Sequence, residues 1–263
     1  MTSKTGQQRD RHIVVTGAGT GIGRAIAQRL AQDGRRLTLM GRRTGLLEET
    51  AALVADVGGP TPACVGVDLR DAGSVTAGFA AAAKANGPIQ GLVANAGIGG
   101  PNSAGDGDRY EALVEVNLIG TYRCLRAAQA NLAAGPERRD LIVISSILGR
   151  FGVPGYTGYC ASKAGLLGLV KALAMEVAGD GVQVNAVCPG WVDTDMAWEG
   201  IGGMAGAMGV SRDEAHKMAM SAVPVRRMSK PAEVAGLIAW LLSEDATGVI
   251  GQGLDINGGA WMG

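Results

Sequence analysis

The sequence predicts an α/β fold: one domain built on a doubly wound, seven-stranded parallel sheet with helices on both faces. Seven short apolar runs rich in Val, Ile and Leu alternate with longer Ala/Leu-rich stretches of helical period. That pattern belongs to strands buried on both faces and joined by crossover helices. The 263 residues suit a single α/β domain, and no linker, repeat or low-complexity tract divides them. Hydrophobic residues make up 47% and charged residues 18%, against about 25% charged in an average chain. A large buried core follows.

A polar stretch, residues 1–11, reads as a flexible tail before a domain running from 12 to 263. The first strand, His12–Thr16, passes into a helical pattern at 23–33 through Gly17-Ala18-Gly19-Thr20-Gly21-Ile22-Gly23. Four glycines here let the backbone turn tightly and approach an anion at the helix N-terminus, where unpaired N–H groups collect. The strict G-x-G-x-x-G string is absent. The segment is thus either a phosphate cradle for a dinucleotide or a plain strand-to-helix turn, and its flanking elements favour the cradle. The second strand, 37–41, ends Met40-Gly41-Arg42-Arg43, without the acid that usually holds the ribose hydroxyls of NAD. Arg42, helped by Arg43, suits a 2′-phosphate, so NADP(H) is preferred and NAD(H) stays possible.

The third strand, 64–68, ends in Asp68-Leu69, a candidate contact for an adenine amino group or else a cap for the helix at 72–85. The fourth, 91–95, leads through Asn95-Ala96-Gly97 toward one long helix at 110–132. The fifth, 141–145, is followed by Ser146, and a helix at 159–177 opens with Tyr159-Cys-Ala-Ser-Lys163. Residues four apart share a helix face. An ammonium one turn from a phenol favours the phenolate and should lower its pKa, as a general acid/base requires. The sixth strand, 183–188, precedes Pro189-Gly190-Trp191-Val192-Asp193-Thr194; a helix at 231–242 and a strand at 254–257 complete the series.

In this order the blocks resemble the short-chain dehydrogenase/reductase family over nearly the whole chain, from Ile13 to Asn257. The blocks are Thr16-Gly-x-x-x-Gly-Ile-Gly23, Asn95-Ala-Gly97, Asn117, Ser146, Tyr159-x-x-x-Lys163 and Pro189-Gly-Trp-Val-Asp-Thr194. One departure stands out: the family often has a second Asn where this chain has Ala94. The resemblance implies a Rossmann-type fold and a reversible reduction of a ketone or 3-oxoacyl thioester to a secondary alcohol. It implies that Ser146 bonds the substrate carbonyl, Tyr159 exchanges the proton, and Lys163 binds the nicotinamide ribose. Asn117 would hold a water linking Lys163 to solvent. Asn95 would lie beside the cofactor, while Val192 and Thr194 would anchor the carboxamide and phosphates. Ser145 is the rival for the serine role, but the spacing to Tyr159 favours Ser146. Dimers or tetramers are implied, through the helices carrying Asn117 and Tyr159. A cofactor-sensing protein without turnover is the rival reading; such relatives usually lose the Tyr or the Lys, and both are present here.

Between 195 and 223 the family places a variable substrate lid. Here Met196, Trp198, Ile201, Met204, Met208, Met218 and Met220 offer an adaptable apolar surface. Gly200, Gly202, Gly203, Gly206 and Gly209 would give it hinge freedom, ahead of a more helical 211–223. Phe151, Val153, Tyr156 and Trp191 join Met196, Trp198, Met204 and Met208 as the candidate pocket wall. No Arg or Lys is aimed into that pocket, which favours a neutral apolar substrate. Carrier-protein reductases tend to place basic residues beside the fifth strand and after the catalytic helix. This chain has Glu137 and Asp180 there, with Arg138 and Arg139 adjacent.

The 24 Lys+Arg balance 24 Asp+Glu, leaving no basic stripe for nucleic acid. No apolar run reaches the length of a membrane span, and the polar start lacks a signal segment, so a cytoplasmic protein is expected. Cys64, Cys124, Cys160 and Cys188 show no metal spacing and read as reduced thiols, Cys160 as a buried filler. His12 and His216 are expected at the surface, and no metal site is expected.

Overall fold

In a computed structural model that describes residues 10–135 and 137–263, the seven apolar runs form one parallel sheet. Its strands are β1 (His12–Thr16), β2 (Arg36–Gly41), β3 (Ala63–Gly66), β4 (Gly91–Ala94), β5 (Arg139–Ile144), β6 (Val182–Pro189) and β7 (Gly253–Ile256). Each lies within two residues of its sequence expectation at either end. The order across the sheet is β3-β2-β1-β4-β5-β6-β7, with Ile13 of β1 in register with Leu37 of β2 and Gly91 of β4. Between β1 and β4 the winding reverses, and the loops leaving their C-terminal ends diverge to frame a crevice. That crevice positions the site.

Both faces of the sheet are covered. Ile13 and Val15 point toward helices α1 (Gly21–Gln32), α2 (Thr44–Asp56) and α9 (Pro231–Leu241), packing with Ile26, Leu30 and Ile238. Val14, pointing the other way, packs with Phe79 of α3 (Ala72–Asn86), Leu125 and Val170. Each such side chain contributes about 1.5–3 kcal/mol by leaving water, which is why the strands of this sheet are mainly apolar, their buried polar residues such as His12 and Asp140 being partnered.

On the second face the chain forms α4 (Tyr110–Val114), a π turn (Glu115–Ile119), α5 (Gly120–Gln129) and α6 (Thr157–Val177). The long helix expected at 110–132 is therefore interrupted. Gly120 N–H bonds the Glu115 carbonyl five residues back, and a Cβ on Gly120 would lie 2.8 Å from Leu69 Cβ. A wide turn of this kind re-aims a side chain within an otherwise regular helix. Here that side chain is Asn117.

Three further expectations are corrected. The tail ends earlier than residue 11: Asp10 pairs with Arg36 at 2.7 Å, and Arg11 is buried against Asp140 at 2.6 Å. Arg138 takes the other Asp140 oxygen at 2.7 Å. A buried carboxylate needs such partners, and Asp140 is too distant in sequence to reveal itself as one. Positions 1–9 lie outside the described residues. His12 is fully buried, bonded to Gly87 O and Thr38 Oγ1 at 2.9 Å each, and burial pushes its pKa down. Finally, the glycine-rich lid segment is a helix, α7 (Asp195–Met208), ended by Gly209 at φ +67°. Ala197, Ile201 and Ala205, four apart, bury one stripe of α7 against α8 (Arg212–Ser221). That burial overrides the poor helix propensity of glycine.

Candidate active site

Ser146 follows β5 and caps a short 3-10 turn, its oxygen accepting the Leu148 N–H at 3.1 Å. Its hydroxyl stands near the Tyr159 phenol and pulls that phenol's pKa down. Ser145 is spoken for: it donates to the Lys163 carbonyl at 2.8 Å and so pins α6 to β5. One turn along α6, the Lys163 ammonium stands 5.6 Å from the Tyr159 ring centroid and donates to Ile144 O at 2.9 Å.

The electrostatics differ from the sequence expectation. Burial pushes the Tyr159 phenol up, against a smaller downward pull from Ser146. Burial also pushes the Lys163 ammonium down from 10.5 to about 8. The ammonium faces the ring rather than the phenol oxygen, so desolvation outweighs the attraction expected between them. At neutral pH the phenol is protonated and the ammonium charged.

Asn117 is buried beside this pair, and a Cβ on Gly97 would lie 2.9 Å from its Oδ1 and 3.7 Å from Lys163 Nζ. Its amide donates to Ile98 O (3.0 Å) and Ser162 Oγ (3.2 Å) and accepts from Ile98 N–H (2.8 Å). Both amide hydrogens are used, so the side chain braces the loop after β4 against α6. Ser162, which anchors this brace and donates to Tyr159 O at 2.8 Å, carried no signal in the sequence beyond lying inside the Tyr–Lys spacing.

The glycine turn fits a dinucleotide phosphate. Thr20 opens α1 with no side-chain cap bond, so the amides of Gly21, Ile22 and Gly23 have no intrahelical acceptor. Closeness is demanded here: a Cβ on Gly17 would lie 2.8 Å from Ala96 Cα, and one on Gly23 only 2.2 Å from Gly17 O. Gly19 lies against Leu46, and Gly21 against Thr194, which caps α7 through the Ala197 N–H. Asn95 proves to be a buttress, since its amide donates to Thr16 O (3.0 Å) and Gly17 O (3.2 Å). Pro189 ends β6, Gly190 abuts Asn257, and Val192 bridges to Ser229, bringing Val192 and Thr194 to the same crevice.

Arg42 and Arg43 are exposed at the end of β2, with neither guanidinium hydrogen-bonded among the described residues. Asp68 is gripped by Arg70, at 2.5 Å between Oδ2 and Nη2, which holds its carboxyl down at about 2. It does not cap the next helix; Asp71 does. Leu69 is buried against Gly120.

The expected pocket wall divides. Met196 reaches across the crevice, its sulfur 2.9 Å from where a Gly99 Cβ would be. Trp191, Trp198 and Met204 pack instead into the lid's own core with Ile201 and Met220. Trp198 also donates to Asp193 (2.7 Å) and lies at a tilt against the half-buried His216, ring centroids 5.0 Å apart. Met208 is exposed at the far end of α7. Phe151 is exposed, Val153 and Tyr156 half-buried, on the segment between Ser146 and Tyr159. Cys160 is half-buried rather than buried. Arg138 and Arg139 sit at the N-terminal end of β5, away from Ser146, and bind Asp140, Ser243 O and Ala133 O. Among the described residues there is no cluster of metal-ligating side chains, and no helix is long and apolar enough to cross a membrane.

Comparison with known proteins finds similarity over nearly the whole chain. A family model described as enoyl-(acyl carrier protein) reductase matches residues 17–260. The 3-oxoacyl-[acyl-carrier-protein] reductase MabA of Mycobacterium tuberculosis is 31% identical over 255 residues, covering 96% of this chain and 94% of that one. The 2-(S)-hydroxypropyl-CoM dehydrogenase 3 of Xanthobacter autotrophicus is 32% identical over 250 residues, 94% of this chain and 95% of its own. The crystal structure of actinorhodin polyketide ketoreductase with NADPH superimposes with a TM-score of 0.90 at 33% identity, covering 96% of this chain and 98% of that one.

Proposed function

The chain belongs to the short-chain dehydrogenase/reductase family, and on that premise we propose that it reduces an apolar ketone to a secondary alcohol with NADPH. One observation carries the reading: Ser146 stands beside the Tyr159 phenol with Lys163 one turn along the same helix, in a fold whose glycine turn leaves helix-start amides open to a phosphate. When bound, the dinucleotide supplies the hydride. Ser146 holds the substrate carbonyl oxygen, and Tyr159 passes its phenolic proton to that oxygen as charge builds on it. Lys163 keeps a positive charge beside the phenolate left behind. A phenol raised by burial is protonated at neutral pH, which suits it to donate and hence to work in the reducing direction.

The mostly apolar lid, with Met196 over Gly99, supports a neutral substrate. The 3-oxoacyl thioester named for the mycobacterial relative is the second reading, because nothing at the crevice excludes a chain attached to the ketone. A panel of ketones, 3-oxoacyl thioesters and secondary alcohols, followed at the nicotinamide absorbance band with both cofactors, tests the assignment. No turnover across the panel, with NADPH bound, would sink it in favour of a nucleotide sensor.

Two outcomes are expected from the same assay. Arg42→Ala raises the KM for NADPH about tenfold, the value of a charge-assisted hydrogen bond, and leaves that for NADH nearly unchanged. Equal effects on both cofactors would remove the 2′-phosphate from Arg42. Ketone reduction holds level through neutral pH and declines above about 8, where Lys163 gives up its proton. The sign follows from the charged ammonium being the working form; a rate that climbs through pH 8–9 contradicts it.

A further inference from the structure

We propose that Arg123 is a positioning residue that ties the loop at 68–70 to the π turn carrying Asn117, so that filling the adenosine end of the groove firms the catalytic end. This rests on the NADPH reading above together with the candidate role of Asp68-Leu69 as a contact for the adenine amino group. Arg123 Nη1 donates to three acceptors on two elements: Leu69 O (3.1 Å), Arg70 O (3.1 Å) and Glu115 Oε1 (2.5 Å). Glu115 is the first residue of the π turn, and its carbonyl takes the wide-turn bond from Gly120. Gly120 in turn rests against Leu69. Loop and turn therefore meet twice, once through a guanidinium and once through backbone contact.

An ordinary surface ion pair on a helix joins residues three or four apart. Glu115 and Arg123 are eight apart, about 12 Å along a regular helix, so their side chains run lengthwise over the π turn and clamp it. Both are partly buried, at 33% and 26% exposure, which limits screening by solvent. Beyond the clamp the chain of contacts continues without a gap. Asn117 bonds Ile98 and Ser162, Ser162 bonds the Tyr159 carbonyl, and Lys163 Nζ shares with Asn117 Oδ1 the space beside Gly97. The loop end holds the Asp68–Arg70 pair, whose backbone Arg123 grips.

Hydrogen exchange in the segment 113–122, with adenosine 2′,5′-bisphosphate as probe, tests the link. In the unaltered chain the probe slows exchange there, although it reaches only the adenosine end. In Arg123→Met the probe at saturation leaves that segment's exchange unchanged, and kcat with NADPH falls about threefold to thirtyfold, the range of a broken coupling. A rise in the KM for NADPH accompanies it, and a thermal melt close to that of the unaltered chain separates the effect from misfolding. Should Arg123→Met fail to fold, Glu115→Gln, which keeps shape and loses charge, gives the same direction at smaller size. A folded variant with full kcat and intact probe-induced protection overturns the proposal. Failure of the unaltered chain to bind the probe overturns the assignment of the loop, and the proposal with it.

Discussion

Tyr159→Phe lowers kcat by about a thousandfold, within the range a positioned general acid supplies, while NADPH still binds with nearly unaltered affinity. The variant keeps the ring, so the Lys163 ammonium retains its face-on contact at 5.6 Å and α6 keeps its packing. What disappears is the phenolic proton. Ser146 and Lys163 remain, and they stabilise charge on the substrate oxygen without protonating it. Each factor of ten in rate is about 1.4 kcal/mol of barrier, so a thousandfold loss amounts to roughly 4 kcal/mol for this one transfer. The measurement is NADPH oxidation at saturating ketone, paired with a fluorescence titration of NADPH. Turnover within tenfold of the unaltered chain would assign the proton to another donor.

Gly23→Ala costs about a hundredfold in kcat/KM, the scale expected when bound groups are displaced by about an ångström. The added methyl would stand 2.2 Å from Gly17 O and 2.6 Å from Asn95 Nδ2. The first of these is backbone, with no rotamer to give way. Relief requires the glycine turn to move, and with it the start of α1 that faces the phosphate. Gly45→Ala serves as the control, since nothing lies within 4 Å of the added methyl. There the change is neutral or slightly stabilising, as expected in a helix. Weakened NADPH binding by both variants would show that the effect lies in glycine content, not in the contact.

Much of this site is legible in the chain itself because its parts are local. A phenol and an amine four residues apart need only a helix to meet, and a glycine-rich turn needs only a strand before it and a helix after it. The seven strands are equally legible, since burial on both faces leaves unbroken apolar runs. What sequence hides is what depends on distant partners. The buried pairing of Arg11 with Asp140 spans the domain, and His12 finds Thr38 and Gly87 only once β1 and β2 are side by side. The π turn at Glu115–Ile119 is invisible to any helical period, because it arises where Asn117 is drawn to Ile98 and Gly120 meets Leu69. The bonds by which Asn95 holds Thr16 and Gly17 likewise join the ends of two strands far apart in sequence. The lid misleads in the opposite sense: its glycines suggest slack, whereas the stripe of Ala197, Ile201 and Ala205 winds them into α7.

Helix α7 contains four glycines within its span. Each forfeits about 1 kcal/mol of intrinsic helical preference relative to alanine, so its order is borrowed from the small hydrophobic cluster beneath. Withdraw that support and the segment is released as loose chain, not as a stiff flap. Trimming that cluster, as in Ile201→Ala, is therefore expected to loosen the main-chain hydrogen bonds of the segment while the sheet below keeps its shape.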